Sequence, residues 1–117
     1  MAVEKKSLES PDEVRKFEHG AASVVNIGGG TVGRFRLEPG WKWSNDVKPI
    51  AGTELCEAPH FMYQVSGRMH VVMKDGSESD WNPGDVGVIP PGHDAWVVGN
   101  EPVVGIDWSG AANYAKQ

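Results

Sequence analysis

A single cysteine, Cys56, stands in the 117 residues, so no disulfide can close within the chain. A reducing, cytoplasmic setting is therefore expected. No apolar run reaches the roughly 20 residues that cross a bilayer, and the opening MAVEKKSLES lacks the apolar centre of a signal peptide. Positive charge is also scarce. Eleven Lys and Arg against 16 Asp and Glu leave a net charge of -5 and a pI near 5.3. That balance argues against nucleic acid or an anionic membrane as partner. A sustained helical period, a serine-nucleophile motif and a pair of catalytic carboxylates are all missing. Gly28-Gly29-Gly30 leads into a strand pattern and not a helix, which excludes a phosphate cradle.

What remains is turn-rich and β-patterned. Fifteen Gly and eight Pro punctuate short β-branched or aromatic runs at 23–27, 31–37, 53–58, 60–66, 68–74, 78–81, 86–89, 95–98 and 103–108. This spacing predicts an all-β sandwich or barrel. Ser10-Pro11-Asp12-Glu13, with Val14 and Phe17 three apart and Gly20 beyond, predicts one short N-terminal helix. The expected organisation is an arm and short helix over 1–20, a barrel over 21–110 and a tail over 111–117. Residues 45–50 read as irregular, and Trp41 and Trp43 put two indoles on one face of an extended segment.

The chemistry centres on GDVGVIPPGHDAW, residues 84 to 96. Pro90 and Pro91 end regular pairing, and Gly92 opens backbone conformations closed to other residues. His93 follows on a stiff rim. Cys56 and His60 lie four apart with Pro59 between them. Thiolate and neutral imidazole suit zinc, copper or iron, and three protein ligands with an open fourth position match catalytic zinc. Cys56 Sγ and the nitrogens of His60 and His93 are expected to converge to within about 4 Å. Glu54 shares the parity of Cys56, and Asp94 adjoins His93, so both are candidates to orient ligands or move protons. Alternation from His60 places Met62 and Gln64 on its face, beside Met69 and Met73, in a largely apolar cavity. His70 should face outward.

These stretches resemble the two sequence motifs of the cupin superfamily. Gly84, Pro90 and Gly92 match the second motif, although its usual His position holds Ala95 and the imidazole is His93. Gly67 anchors the first motif, where Glu54, Cys56 and His60 occupy slots that usually hold His, His and Glu, and Lys48 replaces the opening Gly. Cys-x3-His together with PPGHDAW is similar to a branch of small, single-domain bacterial cupins. The resemblance implies a double-stranded β-helix of jelly-roll type. It also implies a metal-binding protein and a homodimer. The expected function is a metal-dependent enzyme acting on a small organic molecule. Cys56, His60 and His93 would hold a divalent ion, zinc ahead of iron or nickel. The alternative is a non-catalytic module that binds or senses a small ligand.

Overall fold

The computed structural model describes residues 2–108; the expected tail at 111–117 lies outside them. Among the described residues, nine strands form two antiparallel sheets. β1 (Glu13–Phe17), β2 (Gly20–Ile27), β3 (Gly30–Leu37), β4 (His60–Ser66), β7 (Val86–Ile89) and β9 (Val103–Asp107) make a six-stranded sheet in the order β1-β2-β3-β9-β4-β7. β5 (Arg68–Met73), β6 (Glu78–Trp81) and β8 (His93–Val98) make a three-stranded sheet in the order β6-β5-β8. This is a jelly roll. Alternation within each strand decides what faces inward. In β4 and β8, residues alternate regularly between buried and more exposed, as a sheet packed on one face requires. The core joins Phe35, Leu37, Met62, Ile89 and Val103 of the larger sheet to Met69, Val71, Trp81, Ala95 and Val97 of the smaller.

The expected N-terminal helix is not formed; residues 13–17 are an edge strand paired to β2, with Glu13 opposite Val24 and Phe17 opposite Gly20. Two apolar residues give too narrow a stripe to offset the nucleation cost of so short a helix. The open edge of β2 instead supplies ladder partners for the backbone groups on one side of the segment. Asp12, read as a helix-start carboxylate, accepts the Asn26 N–H at 2.8 Å and so fastens the new strand to β2.

Residues 53–58 also depart from expectation: only Cys56 pairs, in an isolated bridge to His93. The irregular stretch before it holds two single-turn helices, α1 (Trp43–Asp46) and α2 (Lys48–Ala51). They carry the chain from β3 toward β4 and bury Trp43 against the barrel. Gly67, between β4 and β5, needs its missing side chain. Its φ is 74°, and a Cβ there would lie 2.7 Å from Val103 Cα. No helix among the described residues is long and apolar enough to cross a membrane.

Candidate metal centre

The proline corner does what its sequence suggests. Gly92 has a φ of 92°, which turns the chain so that its N–H and the His93 N–H both reach the Cys56 carbonyl, at 2.8 and 3.3 Å. The Cys56 N–H returns a bond to the His93 carbonyl at 2.8 Å. Cys56 and His93 are thereby locked side by side. His60 enters from the first position of β4, with Cys56 Sγ 3.9 Å from its Nε2 and the two imidazole rings 5.2 Å apart. All three residues are buried, and one ligand atom from each lies within 4.8 Å of the others.

Each ring is oriented by a partner that can only accept. His60 Nδ1 meets a carboxylate oxygen of Asp107, which is fully buried on β9. His93 Nδ1 meets the Pro90 carbonyl oxygen at 2.8 Å. In the neutral rings the proton therefore sits on Nδ1, and the lone pair sits on Nε2. Carboxylate–histidine and carbonyl–histidine pairs of this kind hold metal-ligating imidazoles in other proteins. Burial pulls the His93 pKa down from 6.5 to about 4, which keeps the ring neutral and able to ligate. Burial likewise pushes the Cys56 thiol up from 9.0 to about 11, and the Glu57, Asp107 and Asp94 carboxylates act in the same direction. The thiol is thus protonated near neutral pH, so a cation that takes Cys56 as thiolate must displace that proton.

The donor set of one sulfur and two imidazole nitrogens fits zinc or another borderline divalent ion. Tetrahedral bonds of about 2.0–2.3 Å set ligand atoms roughly 3.3–3.8 Å apart. The trio would need to draw in by about an ångström around such an ion. Beside the cluster is a cavity of about 30 Å³ with almost wholly apolar walls, to which His60, His93, Met62 and Trp41 contribute.

The other residues singled out from the sequence fall in different places. Met62 lines the cavity. Gln64 is fully buried, but its amide donates to the Gly67 and Trp81 carbonyls at 2.9 and 3.1 Å and so ties strands together. Asp94 is half-buried on the opposite side of β8 from His93, where its carboxylate accepts the Ser44 N–H at 3.1 Å. Glu54 is turned to solvent and paired with Lys48 at 2.8 Å, away from the cluster. The parity of Glu54 with Cys56 applies only if residues 53–58 are a strand, and they are not. Asp107 escaped sequence reading altogether, because nothing local separates it from any other strand-end carboxylate.

No family model and no curated protein sequence matches this chain. Solved structures do. An oxalate decarboxylase from Lactobacillus farciminis, in a formate complex, superposes with a TM-score of 0.61 at 20% identity over 87% of this chain. This chain spans only 32% of that protein. A protein of unknown function from Rhizobium leguminosarum bv. viciae gives 0.63 at 22% identity, covering 93% of this chain and 97% of the other. A cupin-2 domain protein from Rhodospirillum rubrum gives 0.58 at 19% identity, covering 95% and 68%. The fold is that of the cupins.

Proposed function

We propose that this protein is a metal-binding cupin that acts as an enzyme on a small organic molecule, with a divalent ion, zinc first, held by Cys56, His60 and His93. The observation that carries the reading is the orientation of the imidazoles, each with Nδ1 tied to an acceptor, with His60 Nε2 3.9 Å from Cys56 Sγ and one ligand atom of each of the three residues within 4.8 Å of the others. The ion would polarise a bound oxygen or lower the pKa of a bound water. The chain's own residues do the rest. Asp107 and the Pro90 carbonyl fix the ring orientations. Cys56 releases a proton as it becomes a ligand. The apolar wall keeps bulk water from competing. The fold likeness to an oxalate decarboxylase, over about a third of that protein's length, is in keeping with an activity on a small acid. Elemental analysis of purified protein, followed by an anomalous-scattering map at the edge of the element found, tests the assignment. About one equivalent of metal at the three residues is expected. Failure to retain zinc, iron or nickel after reconstitution overturns it.

A specific observation also favours the non-catalytic alternative, a ligand-binding or sensing module. The cavity wall carries no carboxylate or hydroxyl, so its only proton-transfer groups are the imidazoles of the cluster. Turnover of a panel of small acids and carbonyl compounds by the metal-loaded protein separates the two readings.

Assembly as a homodimer is supported by the outer face of the larger sheet. There Phe61 stands opposite Val88 and Tyr63 opposite Val86, with Trp108 6.1 Å from Phe61 ring to ring. All five are exposed, at the β7 edge where backbone pairing is also open. Sedimentation should show a species near twice 12.7 kDa; a single species at 12.7 kDa at micromolar concentration rules the dimer out.

A further inference from the structure

Trp41 lines the same cavity, and its indole N–H is fully buried with no hydrogen-bond partner. Among the described residues it is the one buried side-chain donor in that condition; the other two unpartnered atoms are acceptors, Glu38 Oε2 and Gln64 Oε1. Buried indole N–H groups ordinarily find an acceptor, and leaving one unpaired is costly. The residue is not loosely held. Its backbone carbonyl accepts the Val97 N–H at 3.0 Å, its backbone N–H donates to the Glu38 carbonyl at 3.0 Å, and Lys42 bridges to Trp96. Backbone pairing on β8 therefore places the indole, and the indole does not choose its place by finding a partner.

We infer that Trp41 is a ligand-recognition residue, whose indole N–H donates to a carboxylate oxygen of a short-chain acid bound in the cavity. This rests on the metal reading above. An indole N–H only donates, so it selects an acceptor. The two imidazoles present lone pairs to the cluster, so they offer no proton to a second acceptor. A hydroxyl or amine would bring a proton for which the wall has no acceptor. A carboxylate brings only acceptors and a negative charge, which the cation offsets. Its remaining body must be short and apolar. At about 30 Å³ the cavity is two to three times the ~10–15 Å³ that one water needs, and Phe35, Leu37, Met62 and Val103 supply hydrocarbon walls.

The test is calorimetric titration of zinc-loaded protein with sodium propionate, and with propan-1-ol as the uncharged comparison. Trp41→Phe should weaken propionate binding by about tenfold, the worth of one hydrogen bond to a charged acceptor, and leave zinc affinity as it was. Propanol should bind neither protein. Equal propionate affinity in wild type and Trp41→Phe overturns the inference, as does an absence of propionate binding to the wild type. If zinc itself is not bound, the metal reading fails, and titration of the metal-free proteins decides the role of Trp41 on the same tenfold criterion. Should the variant fold poorly, the wild type suffices. The Trp41 indole proton resonance, assigned through space, should move downfield as propionate is added, and a resonance that stays in place overturns the inference.

Discussion

His60 and His70 stand on successive strands of the chain that belong to different sheets, and each meets a carboxylate through Nδ1, yet the structure gives them opposite roles. His60 faces inward. It gives Nδ1 to the buried Asp107 and turns Nε2 toward Cys56, 3.9 Å away. His70 faces outward, and carboxylates take both of its nitrogens: Asp80 at Nδ1, 2.6 Å, and Glu78 at Nε2, 2.7 Å. With both nitrogens committed, His70 has none left to ligate. A carboxylate partner therefore does not make a histidine a metal ligand. What matters is whether the second nitrogen points at other donors in a place that excludes water. The same contrast sets the energetics, because exposed ion pairs contribute little, whereas a buried carboxylate cannot lose its hydrogen-bond partner cheaply.

The largest effect expected from breaking this contrast is on zinc affinity. His60→Ala should lower it by more than about 100-fold, since even changes beyond the ligands themselves cost 10–100-fold. His70→Ala should leave it unchanged. Competition titration against a chromophoric chelator reads both, and a matching loss in the two variants would erase the distinction. Next comes the orienting carboxylate. Asp107→Asn should weaken zinc by about 10–100-fold, because an amide no longer holds the imidazole as a charged acceptor. Asp80→Asn, the outer counterpart, should do nothing to zinc.

Proton competition gives a graded effect. The Cys56 thiol, with its pKa raised to about 11, must lose its proton to ligate, so zinc affinity should fall at least about tenfold for each pH unit lowered below neutrality. Cys56→Ser should flatten that slope. In the metal-free protein, His93 acts on stability itself. Its folded pKa of about 4 lies below the ordinary 6.5, so between those values the unfolded chain binds the extra proton. Stability is therefore expected to drop as pH falls from about 6.5 toward 4 and to level off below, by urea unfolding across that range. His93→Gln should remove this component.

The smallest effect belongs to the outer cluster. Asp80 and Glu78 raise the His70 pKa, in that order, so its ion pairs are present at low pH and fade as pH rises through the raised value. His70→Gln should leave stability to urea essentially unchanged, because the partners are well exposed and their charges are screened by solvent. A larger loss would mean that this face is covered in solution.

Much of this was written locally in the chain. The bounds of β4, β6 and β7 follow from alternation and from Pro59, Gly67, Asp75-Gly76 and the Pro90 corner, each of which acts within a few residues. Strand parity is equally local, so the shared inward face of His93 and Ala95 and the outward face of His70 were legible. The proximity of Cys56, His60 and His93 could be anticipated with the two motifs as a guide, but their ligand atoms lie within 4.8 Å of one another and not within the expected distance of about 4 Å. Only tertiary structure decided the rest. Asp107 reaches His60 across 47 positions because β9 is inserted between β3 and β4, an order that no local pattern encodes. Residues 13–17 became a strand because the edge of β2 offered them partners. Glu54 left the site because the segment carrying it takes its conformation from the barrel it packs against. Side-chain period and turn chemistry are properties of neighbours in sequence, whereas sheet order and edge pairing depend on which distant surfaces remain to be covered.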